Sequence, residues 1–358
     1  MRPSYCSDRP VSNHFHRYLS GQIPLPIAKQ SVYHDTIMAK IIISANLPGP
    51  AIAQLASTHE VIIGPHPHGL GTEGLTESLQ KNPDTTAIIS LLSDGISREL
   101  LNNAPELRIV ANYAVGVDNI NLAECRARQI MVTNTPGVLT EATADLAMAL
   151  MLDACRNVSR GDRLTREGKW KGWSATFLVG PRVTGATLGI VGFGRIGQAV
   201  AKRAAGFDMK VLYTQRHRAD FSIENELKAT YVSLDDLLSA SDIVSLHCPL
   251  TETTRGMFSK ERMLRMRVGS VLVNCARGAC VDEEALAQLL ACEHIAAAGL
   301  DVYKQEPQVN EMLLSLPNVV LAPHLGSADI PTRERMAQMC VDSVVAALEG
   351  RDPPNRVA

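Results

Sequence analysis

Three apolar runs late in the chain each end on a polar residue able to act on a carbonyl group. They are Val271-Leu-Val-Asn-Cys-Ala-Arg277-Gly278, Ala298-Gly-Leu-Asp301 leading to Glu306-Pro307, and Val319-Val-Leu-Ala-Pro-His324-Leu-Gly326-Ser327. In an open α/β sheet, ligands bind outside the carboxyl ends of the strands, so this pattern should bring the three ends to one crevice. A carbonyl carbon that receives a hydride leaves negative charge on its oxygen, which calls for a proton donor and a cation. His324 suits the donor, and Glu306 can orient its ring and favour the imidazolium form. Arg277 can bind a carboxylate and polarise the neighbouring carbonyl. Singly, each has an ordinary structural role open to it: a helix-cap ion pair, a surface turn, a core histidine. Their joint placement points to ketone reduction.

A hydride needs a source, and an earlier segment provides a place for one. Thr187-Leu-Gly-Ile-Val-Gly192-Phe193-Gly194-Arg195-Ile196-Gly197 reads as a strand feeding a GxGxxG turn, with a helix expected over residues 198–205. Gly192 permits the tight turn, Gly194 lets the backbone approach a pyrophosphate, and Gly197 allows close helix-to-strand packing, while the helix N-terminus offers N–H groups to the anion. The next strand, residues 209–213, runs into Gln215-Arg216-His217-Arg218. A site for NAD normally places an acid here to accept from both ribose hydroxyls, and such a carboxylate would repel a 2'-phosphate. Gln215 stands where the acid is expected. Arg216, His217 and Arg218 can instead bind the phosphate through charge-assisted hydrogen bonds. The expected cofactor is therefore NADPH, with NAD at lower affinity.

The elements that must carry these residues follow from periodicity. From Lys40 onward, short β-branched runs alternate with amphipathic stretches of helical length, which signals parallel sheets with crossover helices and an α/β class. Strands are expected over residues 40–44, 86–92, 108–113 and 243–246, with helices over 97–103 and 121–128. The pattern breaks at Thr135-Pro136-Gly137, a candidate hinge, after which a long apolar helix runs from about Glu141 to Cys155. A last helix over 331–348 can return to the first series and make that domain discontinuous. The expected layout is a substrate-binding domain from 38–138 and 325–358, and a dinucleotide-binding domain over 139–324. Residues 1–37 lack hydrophobic periodicity and read as a disordered extension, with Met38 an alternative start.

With 358 residues, the chain has room for two domains that each bury a core. Its formal charge of -2 gives no global attraction to nucleic acid or membrane surface. Eight cysteines without a CxxC pair, several within apolar runs, suggest free buried thiols and a cytoplasmic setting. Pro65-His66-Pro67-His68 supplies too few ligands for a metal site, so no metal is expected. His247-Cys248 is assigned no nucleophilic role.

Taken together, these motifs resemble the D-isomer-specific 2-hydroxy-acid dehydrogenase family over about residues 39–350. Asn112-Tyr-Ala-Val115-Gly116-Val-Asp118 and Asn134-Thr-Pro136-Gly137-Val-Leu-Thr-Glu141-Ala-Thr143-Ala add to the agreement. The resemblance implies two Rossmann-like doubly wound parallel-sheet domains and a catalytic trio of Arg277, Glu306 and His324, with His324 as proton donor. It implies backbone amides near Val115 and Gly116 that bind the substrate carboxylate, with Arg277 and His324 also contacting the substrate. Asp301 would contact the nicotinamide carboxamide, and Cys275 and Gly326 would complete the cofactor site. A homodimer is implied too, built around the nucleotide-binding domains with residues 144–166 contributing and the Trp170-Lys-Gly-Trp173 segment near the partner's pocket.

Within the family, the basic loop, Leu91-Leu-Ser93-Asp94 and the Pro323-His324-Leu-Gly-Ser-Ala328 run most resemble glyoxylate and hydroxypyruvate reductases. The expected substrate is a small 2-oxo acid: glyoxylate, hydroxypyruvate or 2-ketogluconate. Two alternatives are weighed against it. A formate dehydrogenase is similar across residues 213–218, but formate carries its own hydride and needs no proton donor paired to a carboxylate. An NAD(H)-sensing corepressor keeps the trio but reads NADH, which the basic loop disfavours.

Overall fold

The computed structural model describes residues 38–358. The expected extension at 1–37, with Cys6, lies outside the described residues. Twelve strands form two wholly parallel sheets. The first contains β1 (Lys40–Ile43), β2 (Glu60–Ile63), β3 (Thr85–Ser90), β4 (Ile109–Asn112) and β5 (Met131–Thr133), in the order β2-β1-β3-β4-β5. The second contains β6 (Thr187–Val191), β7 (Lys210–Thr214), β8 (Ala229–Tyr231), β9 (Ile243–Leu246), β10 (Ser270–Asn274), β11 (Ile295–Leu300) and β12 (Val319–Leu321). Its order, β12-β11-β10-β9-β6-β7-β8, reverses direction between β6 and β9. That reversal opens a crevice at the carboxyl ends of the two strands, the usual seat of a dinucleotide in such sheets.

Both sheets are covered by helices on each face, so their central strands are continuous apolar runs. Ile41, Ile42 and Ile43 of β1 are all inaccessible to solvent. The helix Thr140–Arg156 packs on β10 and β11, burying Ala147, Leu150, Met151 and Ala154 among the core residues of the seven-stranded sheet. The helix Ile330–Leu348 instead lies against β4 and the helix Ala51–Ala56, burying Ala337, Val341 and Val344 beside Ile41 and Ile109. Its start is fixed by Asp329, whose carboxylate accepts from Thr332 N–H at 2.8 Å, with Pro331 in the first turn. The chain after the last strand thus returns to the five-stranded sheet.

Local departures from the sequence expectations have simple causes. The expected helix at 97–103 is a single turn, Arg98–Leu101, capped by the Ser97 hydroxyl. The helix after the glycine turn begins at Arg195 rather than 198, with Gly194 as its cap residue, because the turn opens straight into it. Among the described residues, no helix is long and apolar enough to cross a membrane.

Candidate active site

A cleft of about 700 Å³ runs between the two sheets, lined by Tyr113, Val115, Gly116, Ile196, Cys275, Arg277, Asp301, His324 and Gly326 among others. Each of the three strand-end segments reaches it through a specific backbone turn. After β10, the Asn274 side chain donates to Arg277 O at 3.0 Å and accepts from Ala276 N–H at 3.0 Å. This tight turn launches Arg277 toward the loop after β4. There Nε donates to both carboxylate oxygens of Asp118, at 3.0 and 3.2 Å, and Nη1 donates to Ala276 O at 2.9 Å. Nη2 lies against Gly116, where any Cβ would overlap it. Glycine leaves room for the guanidinium in this position, and Nη2 has no hydrogen-bond partner among the described residues.

Asp301, at the end of β11, is buried and works inward. Its carboxylate accepts from Leu325 N–H at 2.6 Å and Gly326 N–H at 2.9 Å, while its carbonyl accepts from His324 N–H at 2.9 Å. Burial pushes its pKa up to about 6, against the lowering effect of those amides and of His324. The loop after β12 is therefore pulled into a shape that puts His324 at φ +54°, a left-handed conformation uncommon for histidine. His324 Nδ1 donates to Glu306 Oε2 at 2.6 Å, and Glu306 Oε1 accepts from Tyr303 N–H at 3.0 Å. A carboxylate can only accept, so Nδ1 carries the proton and Nε2 is left for a ligand. Burial would raise the Glu306 pKa, but the hydrogen bond and charge of His324, with help from Tyr303 N–H and Arg277, hold it below the usual carboxylate range.

The glycine turn sits at the sheet's reversal point. Gly192 adopts φ +93°, and a Cβ there would lie 2.6 Å from Cys248 N. A Cβ on Gly197 would overlap the Gly192 carbonyl, so this glycine packs helix against strand. Gly194 faces open space, with no atom within 4 Å of where its Cβ would stand, and Arg195 beside it is exposed. The turn thus offers the open backbone and helix N-terminal amides that a pyrophosphate requires.

Phe193 points inward: it is buried, its ring stacked on Tyr213 at 4.0 Å. Its N–H donates to Gln215 Oε1 at 3.1 Å, which ties the loop after β7 to the turn. Arg216 and His217 are exposed. Arg218 is not the free cation its place in the sequence suggests, because Nε and Nη2 donate to the buried Glu224 carboxylate at 2.9 and 2.8 Å. Gly326 is engaged as well, its N–H by Asp301 and its carbonyl by the Thr143 hydroxyl at 2.8 Å. Cys275 lines the cleft as a buried thiol whose pKa burial raises.

Arg277 and His324 thus line one cleft with Ile196 of the glycine turn, and Glu306 joins them through its bond to His324, while His66 and His68 lie exposed in a loop elsewhere. Sequence reasoning overlooked three participants. Asp118 was visible as the acid after β4, but its pairing with Arg277 crosses 159 positions. Glu224 has no motif of its own. His247 lines the cleft with Nε2 2.8 Å from Ser245 Oγ and Nδ1 buried without a partner; burial lowers its pKa to about 4, so the ring is neutral at pH 7.

Comparison with known proteins identifies the family. Residues 148–326 match the model for the NAD binding domain of D-isomer specific 2-hydroxyacid dehydrogenases. A glyoxylate reductase of Korarchaeum cryptofilum is 52% identical over 282 residues, covering 78% of this chain and 84% of that protein. One from Thermococcus kodakarensis is 47% identical over 322 residues, covering 89% and 96% respectively. Among solved structures, an NADPH-dependent glyoxylate/hydroxypyruvate reductase from Sinorhizobium meliloti, in complex with NADP and malonate, superposes with a TM-score of 0.79. It is 32% identical and aligns over 89% of this chain and 97% of its own. This chain therefore belongs to the D-isomer specific 2-hydroxyacid dehydrogenase family of oxidoreductases, whose NAD binding domain it carries at residues 148–326.

Proposed function

We propose that this enzyme reduces a small 2-oxo acid, glyoxylate or hydroxypyruvate with 2-ketogluconate a further candidate, to the D-2-hydroxy acid using NADPH. The observation that carries the reading is the Glu306–His324 pair at 2.6 Å, whose His324 lines the same cleft as Arg277 and Ile196 of the glycine turn. The reduced nicotinamide, when bound, supplies the hydride. Arg277 holds the substrate carboxylate with its unpartnered Nη2, close to Val115 and the Gly116 backbone, and stabilises the charge that grows on the carbonyl oxygen. His324 gives that oxygen its proton from Nε2, while Glu306 retains Nδ1–H and keeps the ring oriented. Residues 192–197 would hold the pyrophosphate, Arg216, His217 and Arg218 the 2'-phosphate, and Cys275, Asp301 and Gly326 would line the nicotinamide end.

In this reading, residues 38–138 with 325–358 bind substrate and residues 139–324 bind the dinucleotide. The helix Val158–Arg166 and the loop after it leave Val158, Trp170, Trp173 and Val179 largely exposed, Trp173 at 86%. An apolar surface of this kind supports a homodimer, and the buried free thiols suit a cytoplasmic setting. Steady-state rates with glyoxylate, hydroxypyruvate, 2-ketogluconate and formate, each with NADPH and NADH, test the assignment. Turnover of the 2-oxo acids with NADPH is expected. Activity confined to formate, or to NADH, would sink it.

A further inference from the structure

We infer that Glu224 is a positioning residue for cofactor choice: its buried carboxylate presets Arg218 to receive the 2'-phosphate of NADPH. The inference rests on the NADPH reading above and extends it to a residue that the phosphate never touches.

The two side chains differ sharply in exposure, 6% for Glu224 and 63% for Arg218. Glu224 lies under the loop and accepts from Arg218 Nε at 2.9 Å, Arg218 Nη2 at 2.8 Å and the Tyr213 hydroxyl at 2.6 Å. Those donors, Arg218 first and Tyr213 second, lower its pKa to about 2, so it is anionic throughout the working range. The guanidinium is gripped along one edge only. Of its five N–H groups two are used, and both on Nη1 with one on Nη2 remain for an anion.

The rest of the loop is braced in the same way. The Tyr213 hydroxyl accepts from Ala219 N–H at 3.0 Å, and its ring stacks on Phe193 of the glycine turn. The Tyr231 hydroxyl donates to Gln215 O at 3.2 Å, and its ring lies 6.0 Å from the Arg218 guanidinium. A free arginine gives up rotamer entropy when it is fixed on a ligand. Here much of that ordering exists before the ligand arrives, so the phosphate meets a prepared site. NADH has no phosphate at this point and gains nothing from it.

The test uses the full chain. Dissociation constants for NADPH and NADH, and for adenosine 2',5'-bisphosphate against AMP, are measured by calorimetry for wild type, Glu224→Gln, Arg218→Lys and Arg218→Ala. Glu224→Gln should weaken the two 2'-phosphorylated ligands about tenfold and move NADH and AMP by less than about twofold, consistent with one weakened charge-assisted contact. Arg218→Lys, at an exposed position, should have a similar effect because an ammonium cannot span carboxylate and phosphate together. Suppose Arg218→Ala leaves all four ligands unchanged; then Arg218 is no phosphate ligand, and this inference falls along with that part of the NADPH reading. If Arg218→Ala weakens the phosphorylated pair while Glu224→Gln binds it like wild type or more tightly, only the positioning role is overturned. Equal weakening of all four ligands by Glu224→Gln would mark Glu224 as a structural brace and also overturn it.

Discussion

The candidate active-site cleft and the loop after β7 solve similar electrostatic problems with opposite organisation. Around Arg277, Glu306 and His324 the partners come from four strand ends, so one ion pair spans 159 positions and another 18. Around Arg218 everything except the Phe193 turn lies within residues 213–231. In the cleft the charged groups are half-buried and pair with one another in ways that leave one reactive edge each: Nη2 on Arg277, Nε2 on His324. In the loop a single buried acid anchors an otherwise exposed cation. The difference teaches that a reaction centre depends on tertiary placement, whereas recognition of a peripheral group can be built locally. Perturbing each region should therefore produce different kinetic signatures.

The largest effect is expected at His324. Replacing it by alanine removes the proposed proton donor but leaves the glycine turn and residues 215–218 intact. The rate of reduction should drop by about a hundredfold or more, the usual contribution of positioned acid catalysis. NADPH affinity, followed by fluorescence titration, should stay within about twofold. A variant that keeps more than about a tenth of wild-type turnover would remove His324 from the donor role.

Next comes the loop. The double variant Gln215→Asp, Arg216→Ala places a like charge near the 2'-phosphate and removes an exposed cation, so kcat/KM should fall with NADPH and rise with NADH. Each lost charge-assisted contact is worth on the order of 1.5 to 3 kcal/mol, roughly ten- to a hundredfold. The preference should invert, while glyoxylate KM at saturating cofactor changes little. Gln215 also holds Phe193 N–H through Oε1, and an aspartate is one methylene shorter. Loss of activity with both cofactors would show that the glycine turn has shifted, and would break the separation between the two regions.

A smaller effect is expected from Asp118, which keeps Arg277 side-on through Nε. Asp118→Asn retains one acceptor but loses the charge. If Asp118 aims Nη2 at the substrate, glyoxylate KM should rise about tenfold with little change in NADPH binding. A lower KM would mean that Asp118 competes with the substrate carboxylate, which reverses its role.

How much of this was legible in the sequence depends on burial. Central strands such as β1, β3, β4, β9 and β10 are mostly apolar, β-branched and fully or almost fully buried, and stand out from residue type alone. The edge strands β2 (Glu60–Ile63), β5 (Met131–Thr133) and β8 (Ala229–Tyr231) do not: they are short, and β2 and β8 are largely open to solvent. Their pattern gives no strong signal. The same holds for side chains. Arg277, Glu306 and His324 could be grouped because each follows a strand or its turn, but nothing in their neighbourhood names Asp118 as the partner of Arg277. Glu224 looks like one more acid on a short helix, and only the fold turns it under Arg218. The left-handed backbone of His324 is likewise imposed from a distance, by Asp301 reaching Leu325 and Gly326.

The smallest expected effect distinguishes orientation from charge within the cleft itself. Glu306 is held below the usual carboxylate range by the hydrogen bond and charge of His324, so it is ionised at neutral pH and well into the acid side. An anion 2.6 Å from Nδ1 holds the ring with Nε2 turned to a ligand. Turnover should thus fall on the acid side only as Glu306 itself takes up a proton, below the usual carboxylate range. Glu306→Gln keeps an acceptor for Nδ1–H but removes the group that titrates, so this acid-side loss should disappear. kcat/KM for glyoxylate at neutral pH should change less, because Nε2 still meets the carbonyl oxygen. An acid limb that persists in Glu306→Gln, measured from about pH 3 to 8 with the wild type in parallel, would assign the titration to another group and leave Glu306 a purely steric support for the ring.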